Sequence, residues 1–503
     1  MKVLLDTNIV IHRETYKVLH DDIGLLFGWL DKLRYEKCVH PITVQEISKF
    51  GDKAVAESFK KKLESYFLLK TTSSLCGEVS QISAEVDSTQ NDKNDTILLN
   101  EVFCGRVELL ITEDKKIHHK AKLLGISDKV FFIDSFIEKC LVENPTLVDY
   151  KVQSVKKEYF GNIDINDGFF DSFKKDYVGF DKWFIRKSDE VAYVCRDKGK
   201  ICAFLYLKCE SEDENYSNIT PAFGTKKRLK IGTLKVTLNG YRIGERFVKI
   251  IIDNALKFKV DEIYVTIFEN TVEQMRLVRL LEEYGFYKHG NKTTASGIES
   301  VYVKSMTPTI NELDLKKSYP FMDANKNVFL VPIYPQYHTS LLPDSILSNE
   351  NPSEFETQES YRNAISKVYI CRSYERNIKP GDIIVFYRTG GYYRSVITTL
   401  GIVENVKTNI NTQDEFIEFC RSRSAFTNQE LSEQWEYKKY NRPFVVKFLY
   451  AYSFPKPINL KKLIEIGIID NVDSAPRGFT KIDFEQFMKI VKETHTDENI
   501  IIC

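Results

Sequence analysis

Long apolar runs are missing from this sequence. No run approaches the ~18 apolar residues that a bilayer-spanning helix needs, which argues against an integral membrane protein. Met1 leads directly into strand-like sequence, which predicts a chain without a signal peptide. A hydrophobic content of 43% and a charged content of 28% are typical of folded globular proteins. We therefore expect a cytoplasmic protein.

Zinc-binding motifs and an excess of charge of either sign are also missing. The ten cysteines are scattered, with no C-x-x-C pair and no cysteine and histidine cluster at zinc-site spacing. Free thiols fit a reducing compartment. Lys+Arg and Asp+Glu both number 71, so no overall positive charge attracts nucleic acid. Any affinity for RNA must come from local patches.

The length of 503 residues indicates about three domains. Polar, helix-breaking sequence at Glu143-Asn144-Pro145 and at Met306-Thr307-Pro308 divides the chain. We therefore predict domains at residues 1–142, 150–306 and 318–503. The strand and helix patterns predict a multidomain protein of α/β and α+β class.

The first apolar run, Val3-Leu4-Leu5, ends in Asp6 and leads into a further apolar segment. This pattern predicts a buried strand that places a carboxylate at its carboxyl end. Burying a carboxylate without a partner costs several kcal/mol or more. Asp6 should therefore meet hydrogen-bond donors or a cation.

Three further acids are predicted to reach the same edge of the sheet. Thr43 is predicted to cap a helix with Glu46 at its third position. Asp95 is predicted to open another helix, and Asp114 follows strand-like residues 107–112. The carboxyl ends of parallel strands and the first turns of the following helices share one edge, so the four acids can converge there.

A cluster of carboxylates without histidine or cysteine ligands favours a hard cation. Oxygen ligands select Mg²⁺ or Mn²⁺ over zinc. One or two such ions can activate a water and stabilise the leaving oxygen of a phosphodiester. The alternative is that Glu46 and Asp95 are ordinary acids of helix N-termini, favoured by the helix dipole. Both interpretations stay open at this point.

Four short motifs surround these acids: Leu5-Asp6-Thr7-Asn8, Thr43-x-x-Glu46, Asn94-Asp95-x-Ile97-Leu98 and Leu110-Ile111-Thr112-x-Asp114. Together they resemble the motifs of PIN-domain nucleases, which include the small VapC-like toxin ribonucleases. The resemblance covers about residues 1–140 and implies a parallel α/β sheet and cleavage of RNA that depends on Mg²⁺ or Mn²⁺. It implies that Asp6, Glu46, Asp95 and Asp114 are metal ligands and that Asn8 and Thr112 support the catalytic site. It also implies a toxin or antiviral role and an inhibitory protein partner, an antitoxin.

Residues 169–303 contain a hairpin at Gly199, a strand at 229–236, a glycine-bearing turn before an amphipathic helix, and a second helix that ends at Gly285-Phe286. This order resembles the GNAT acetyltransferase family, which implies a mixed sheet with helices and a site for acetyl-CoA. The cofactor-binding residues would be Asn239, Gly240, Tyr241, Arg242, Ile243 and Gly244. The sequence departs from the family pattern, because Arg242 replaces a glycine and Leu281 replaces a frequent general-acid tyrosine. A working transferase and a non-transferring scaffold are both open.

Beyond Tyr319, strand-like runs dominate and predict a small β-barrel. Ile378-Lys379-Pro380-Gly381-Asp382 and Pro476-Arg477-Gly478-Phe479 resemble segments of PUA-like domains of the ASCH and EVE type. The resemblance implies recognition of RNA. Arginines and tyrosines fit phosphate contacts and base stacking; the candidates are Arg372, Arg376, Arg388, Arg394, Tyr374, Tyr387, Tyr392 and Tyr393. The alternative is a solvated strand face whose aromatics pack inward.

The preferred interpretation is a metal-dependent endoribonuclease whose third domain helps to select RNA. Two alternatives belong to other functional classes. One is an acetyl-CoA-dependent N-acetyltransferase that acts on protein or RNA, and the other is a non-catalytic RNA-binding protein.

Overall fold

The computed structural model describes residues 1–14, 21–48, 63, 65–143, 155–197, 199–237, 242–345, 360–390, 395–420 and 423–502. The chain folds into two compact units, Met1–Val148 and Asp149–Cys503. Both units combine helices with sheets that contain parallel strands, so the protein belongs to the mixed α/β class.

The first unit alternates strands with helices. Its described elements are β1 (Lys2–Leu5), α1 (Thr7–Glu14), α2 (Asp21–Lys32), β2 (Glu36–Val39), α3 (Pro41–Ser48), β3 (Phe67–Leu68), α4 (Gly77–Val86), α5 (Gln90–Phe103), β4 (Leu109–Ile111), α6 (Lys115–Leu123), β5 (Val130–Phe131) and α7 (Ile133–Glu143). Alternation of this kind produces a parallel sheet with helices on both faces.

The five strands of this unit are parallel and lie in the order β3-β2-β1-β4-β5. Val3 and Leu5 belong to one buried cluster and Leu4 to another, because successive side chains point to opposite faces of the sheet. The chain leaves β1 toward β2 on one side and returns to β4 on the other. Ligands of open parallel sheets bind beside the carboxyl ends of strands at such a reversal of order.

The second unit begins with an eight-stranded sheet in the order β6-β7-β8-β10-β11-β13-β12-β9. Only β10 and β11 are parallel neighbours among its described pairings. The elements are β6 (Lys156–Tyr159), α8 (Asp171–Asp176), α9 (Phe180–Ile185), β7 (Val191–Asp197), β8 (Lys200–Glu210), β9 (Ile219–Thr220), β10 (Arg228–Val236), α10 (Ile243–Phe258), β11 (Glu262–Ile267), α11 (Val272–Glu283), β12 (Tyr287–Thr294) and β13 (Gly297–Ser305). Short 3-10 helices occupy Phe160–Asn162 and Gly168–Phe170.

The rest of the second unit contains a six-stranded sheet in the order β16-β19-β18-β17-β15-β20, and a parallel pair of β14 and β21. Its elements are α12 (Leu315–Ser318), β14 (Met322–Asp323), β15 (Val328–Ile333), α13 (Pro335–Leu341), α14 (Ser360–Asn363), β16 (Ser366–Cys371), β17 (Ile383–Arg388), β18 (Val396–Lys407), α15 (Gln413–Cys420), α16 (Asn428–Glu436), β19 (Phe444–Asn459), α17 (Leu460–Glu465), β20 (Thr480–Ile482), α18 (Phe484–Glu493) and β21 (Ile501–Ile502). Three further 3-10 helices lie at Pro343–Ser345, Val472–Ser474 and Glu498–Ile500.

The strands predicted after residue 320 are confirmed, but the predicted barrel is not closed. β16 and β20 remain the two edges of the six-stranded sheet, and no pairing joins them within the described ranges. The hairpin predicted at Gly199 is confirmed, with a positive φ of 83° at that glycine. No helix in the described part of the chain combines the length and the apolar character needed to cross a membrane.

Helix α10 connects the two large sheets of the second unit. Its apolar residues, among them Phe247 and Ile251, share one buried cluster with Leu205 of β8 and with Leu449 and Ala451 of β19. Lys249 places its Nζ 3.5 Å from the carbonyl oxygen of Ala451. The helix is therefore covered by both sheets rather than by one.

An ion pair between Arg246 of α10 and Asp344 lies beside this helix. The Arg246 guanidinium donates two hydrogen bonds of 2.5 Å to the two carboxylate oxygens of Asp344. Burial disfavours the charged carboxylate, but the charge and hydrogen bonds of Arg246 outweigh it and hold the pKa of Asp344 well below its usual range. The backbone amide of Asp344 also donates to the Tyr450 hydroxyl at 3.2 Å.

We expect Asp344→Ala to destabilise the second unit by about 2–4 kcal/mol, because the largely buried Arg246 loses its counter-charge. Amide hydrogen exchange in peptides of α10 and β19 of the full-length chain measures this loss. The matched control is Glu465→Ala, which removes an exposed pair with Lys461 at 3.8 Å and should cost under about 1 kcal/mol. Equal protection in the two variants would contradict the role given to Asp344.

Candidate active site

Asp6 and Asp114 lie at the carboxyl ends of neighbouring strands in the first unit. Asp6 directly follows β1 and Asp114 follows β4, and these strands pair in parallel with Leu5 opposite Ile111. The backbone amide of Asp6 donates to the Ile111 carbonyl at 3.1 Å, which extends the ladder to the acid itself. The two acids therefore lie at the point where the strand order reverses.

Thr112 links these two acids. Its hydroxyl donates to Oδ2 of Asp6 at 2.8 Å and accepts a hydrogen bond from the backbone amide of Asp114 at 3.0 Å. Asp6 is only 5% exposed, so this hydroxyl is a major substitute for water at its carboxylate. Thr112 thus fixes the Asp6 carboxylate relative to the backbone of Asp114.

Two side chains that were not predicted as site residues bind the Glu46 carboxylate. The Thr7 hydroxyl donates to Oε2 of Glu46 at 2.7 Å, and Nδ2 of Asn94 donates to Oε1 at 2.9 Å. Thr7 directly follows the predicted ligand Asp6, and Asn94 directly precedes the predicted ligand Asp95. This adjacency was the signal available in the sequence. Asn8, which was predicted to support the site, is exposed.

Glu46 and Asp95 were predicted to lie in the first turns of their helices, and both predictions are wrong. Helix α3 begins at Pro41, so Glu46 is its sixth residue and the Thr43 hydroxyl, 3.0 Å from that of Thr7, does not cap the helix. Helix α5 begins at Gln90, so Asp95 is also a sixth residue. Its cap is a reciprocal pair of Thr89 and Asp92. Ordinary first-turn placement therefore does not account for Glu46 or Asp95.

Asp114 does cap a helix. Its Oδ1 accepts hydrogen bonds from the backbone amides of Lys116 at 2.6 Å and Ile117 at 3.3 Å at the start of α6. One carboxylate oxygen thereby fixes the side chain to the helix. This leaves the other oxygen, Oδ2, outside the cap.

The four acids are close enough for their charges to act on one another. Burial is the largest cause that raises the pKa of Asp6 to about 6; the Thr112 hydrogen bond opposes it, and the charges of Asp114 and Glu46 add to it. Burial also raises the pKa of Asp95 to about 7, with added repulsion from Asp114, Asp6 and Glu46 and an opposing effect of Lys120. Among the residues that the structure describes, the carboxylates at this edge therefore repel one another.

The nearby lysines pair with other carboxylates. Lys116 donates to Oδ1 of Asp92 at 2.6 Å, and the buried Lys120 lies 2.5 Å from Oδ1 of Asp87 and donates to the Asp92 carbonyl oxygen at 2.7 Å. The donor set at the edge is all oxygen, which suits Mg²⁺ or Mn²⁺. Within the described ranges, no three acidic, histidine or cysteine side chains are already arranged as ligands of one ion. The charge and chemistry of the residues fit a hard cation, and binding would require the carboxylates to close around it.

The predicted cofactor turn is described only in part. Asn239, Gly240 and Tyr241 lie outside the described residues. Arg242 has a left-handed backbone with a φ of 55°, and its guanidinium donates to Oε1 of Glu245 at 2.5 Å. Ile243 is buried, and a Cβ at Gly244 would lie 2.7 Å from Leu280, so the glycine permits close packing of α10 on α11.

Glu245 introduces a negative charge into the first turn of α10. Its Oε2 accepts a hydrogen bond from the backbone amide of Ile365 at 2.9 Å. Burial disfavours this charge, but the nearby charges of Arg242 and Arg423 hold the pKa of Glu245 well below its usual range. The helix N-terminus and the Arg242 guanidinium therefore already have a negatively charged neighbour, the Glu245 carboxylate.

The predicted RNA-binding residues do not share one environment. Tyr387 is only 2% exposed and packs in the core, and Arg388 ends β17 partly buried. Arg372 and Arg376 bind the backbone and side chain of Asn441. Tyr374 is exposed, whereas Tyr392, Tyr393 and Arg394 lie outside the described residues. The inward-packing alternative is therefore correct for Tyr387.

About a third of the chain is similar in structure to acetyltransferases of known structure. The NatC complex bound to Gag peptide and CoA matches 31% of this chain and 99% of its own, at 20% identity and a TM-score of 0.22. The IAA acetyltransferase from Bacillus cereus ATCC 14579 matches 31% of this chain and 99% of its own, at 12% identity and a TM-score of 0.23. AAC(6')-Ib in complex with ribostamycin and coenzyme A matches 31% and 94%, at 12% identity and a TM-score of 0.23. No protein-family model and no curated protein sequence matches the chain.

We expect Asp6→Asn to stabilise the first unit by about 1–3 kcal/mol at pH 7.5 without divalent cations, because the neutral amide removes a buried, repelled charge but can still accept from Thr112. A carboxyl whose pKa is raised in the folded state binds its proton more tightly there, so wild-type stability rises as pH falls through about 6. The advantage of Asp6→Asn should therefore shrink at pH 5.

Hydrogen exchange in peptides of β1 and α5, measured in EDTA at both pH values, tests this expectation. Asp128→Asn is the matched control, because Asp128 is an exposed acid of the same unit and its amide should change nothing. Faster exchange in Asp6→Asn than in wild type at pH 7.5 would show that the acid edge is not under electrostatic strain.

Proposed function

We propose that the protein is a metal-dependent endoribonuclease of the PIN type. What supports the proposal is the mutual repulsion of Asp6, Glu46, Asp95 and Asp114 beside the carboxyl ends of β1 and β4, where Lys116 and Lys120 pair with Asp92 and Asp87. A cluster of partly buried carboxylates that repel one another costs stability unless a cation neutralises it. RNA as the substrate rests on the resemblance of the four motifs.

The four acids would hold Mg²⁺ or Mn²⁺, and such an ion supplies activation of a water and stabilisation of the leaving oxygen of a phosphodiester. Thr112 orients the Asp6 carboxylate through its 2.8 Å hydrogen bond. Thr7 and Asn94 each hold one oxygen of Glu46. These bonds fix the directions of the carboxylates before a cation arrives, which lowers the conformational cost of assembling the site.

We expect wild-type protein to cleave total cellular RNA with Mg²⁺ or Mn²⁺ and to stop in EDTA. Asp6→Asn should lower the rate by more than about 100-fold, because it removes a ligand. Thr112→Val should lower the rate by about 10- to 100-fold, because it removes the hydrogen bond that orients the Asp6 carboxylate but keeps the carboxylate itself. The readout is the rate of appearance of new RNA ends, which sequencing would then locate.

The matched control for this assay is Asp128→Asn, an acid-to-amide change at an exposed position of the same unit, which should keep wild-type activity. Full activity of Asp6→Asn, or cleavage that persists in EDTA, would refute the nuclease assignment.

Acetyl-CoA binding is the alternative for residues 150–306, and the first turn of α10 disfavours it. The Glu245 carboxylate already pairs with Arg242 at 2.5 Å and is tied to Ile365. A pyrophosphate at this helix N-terminus would be repelled by that carboxylate and would compete with it for Arg242. We therefore propose that this part of the chain acts as a scaffold that joins the two sheets.

We expect calorimetric titration of the full-length chain with acetyl-CoA to give no saturable heat. The same titration of the Glu245→Gln variant tests whether the charge of Glu245 prevents binding. If it does, the variant should bind acetyl-CoA weakly. Saturable binding to the wild type, weakened by Arg242→Ala, would instead favour the transferase.

A further inference from the structure

Three exposed tyrosines surround one lysine on the second unit. Tyr374, Tyr437 and Tyr440 are 88%, 57% and 83% exposed, and Lys438 interacts with all three. We call these four residues the tyrosine patch. Large rings that stay in solvent together are unusual on a folded surface and mark a contact site more often than a chance arrangement.

The patch is built by two chain segments that leave adjacent strands at the same end. Cys371 ends β16 opposite Phe444 at the start of β19. Asn441 joins the segments: it accepts from Arg376 at 2.8 Å through its side chain, accepts from Arg372 at 2.7 Å through its carbonyl, and donates to the Arg372 carbonyl at 3.0 Å. The turn also closes on itself, with Asn441 donating to the Lys438 carbonyl at 2.9 Å.

Cationic side chains lie close to two aromatic rings of this region, Tyr437 and Trp435. The Arg372 guanidinium lies 5.3 Å from the centroid of Tyr437, and Lys438 Nζ lies 5.2 Å from the same centroid. Arg442 lies 4.4 Å from the centroid of Trp435 in the same segment. Such contacts restrict the orientation of the Tyr437 ring, which is still 57% exposed, so less conformational entropy is lost when a ligand binds beside it.

The local charge is positive although the whole chain is neutral. Segments 372–376 and 435–442 contain five arginines and lysines against two glutamates. Of these, Lys439 pairs with Glu436 at 2.7 Å, whereas Lys438 lies among the tyrosines. A surface for a protein partner would have an apolar centre depleted of charge. Rings separated by cations fit stacked bases joined by phosphates instead.

We infer that the tyrosine patch binds single-stranded RNA. Bases stack on the exposed faces of Tyr374 and Tyr440, and Lys438 contacts the phosphates between them. This inference rests on the proposed function for the choice of RNA, and it places the contact at the end of β16 and β19. The surface differs from the predicted set, because Tyr387 is buried and Arg372 and Arg376 build the platform.

The test is fluorescence anisotropy of a labelled oligouridine with the full-length chain in EDTA, where metal-dependent cleavage cannot occur. Tyr374→Ala and Tyr440→Ala should each weaken binding by about 5-fold or more, and the double variant by more than either. Lys438→Ala should weaken binding and lower the slope of log Kd against log salt by about 0.7. Tyr334→Ala is the matched control, because this tyrosine is 65% exposed but lies outside the patch.

Binding by the wild type that is unchanged in both tyrosine variants would overturn the inference, as would no binding of the oligonucleotide by the wild type. Equal affinity for a duplex would overturn it too, because paired bases cannot stack on the rings. The outcomes separate the two proposals. Unchanged binding in the tyrosine variants with cleavage that requires Asp6 would remove the patch and keep the nuclease. Lost binding in those variants with no metal-dependent cleavage by the wild type would remove the nuclease and keep the patch.

Discussion

Mutual repulsion among partly buried carboxylates is the constraint around which the first unit is organised. Asp6 is only 5% exposed and follows three fully buried strand residues, Val3-Leu4-Leu5, so water cannot stabilise its charge well. Hydroxyl and amide donors bind these carboxylates, Thr112 on Asp6 and Thr7 and Asn94 on Glu46, while Lys116 and Lys120 pair with Asp92 and Asp87. Neutral donors orient carboxylates without cancelling their charge, which keeps the edge attractive to a cation.

The sequence predicts the parts of this site that follow from strand direction. Asp6 and Asp114 each end an apolar run, and parallel neighbours bring such ends together. Glu46 and Asp95 lie in the second turns of their helices rather than at the predicted helix starts, and their charges act on Asp6. The sequence around Asp95 does not reveal where α5 begins. The capping box that starts the helix is formed by Thr89 and Asp92, and Asp92 lies three residues before Asp95. Thr7 and Asn94 could not be assigned, since their role depends on the angle at which α1 and α5 meet α3.

In the C-terminal sheet, individual strands are predictable but their exposed faces are not. The alternation that separates inward from outward side chains is lost where both faces of a strand are covered, as in β17, in which five of six residues are buried. Tyr387 was therefore indistinguishable from a surface tyrosine. Closure of a barrel depends on pairing between β16 and β20, which are far apart in sequence and carry no local signal for it. Contacts such as Arg246 with Asp344 join segments 98 residues apart and are equally invisible in the sequence.

The distribution of charge gives the two proposed sites different physical tasks. An edge of four carboxylates repels a phosphate backbone until divalent cations offset its charge, so it cannot itself provide the attraction that brings RNA to the protein. A chain with equal numbers of acids and bases lacks a general positive field for that purpose. The attraction must then come from a local surface, and stacking on tyrosines adds affinity that salt does not screen. Chemistry at the acid edge and capture at the tyrosine patch therefore depend on different residues of the chain. A divalent cation is needed for the first, whereas added salt weakens the phosphate contacts of the second.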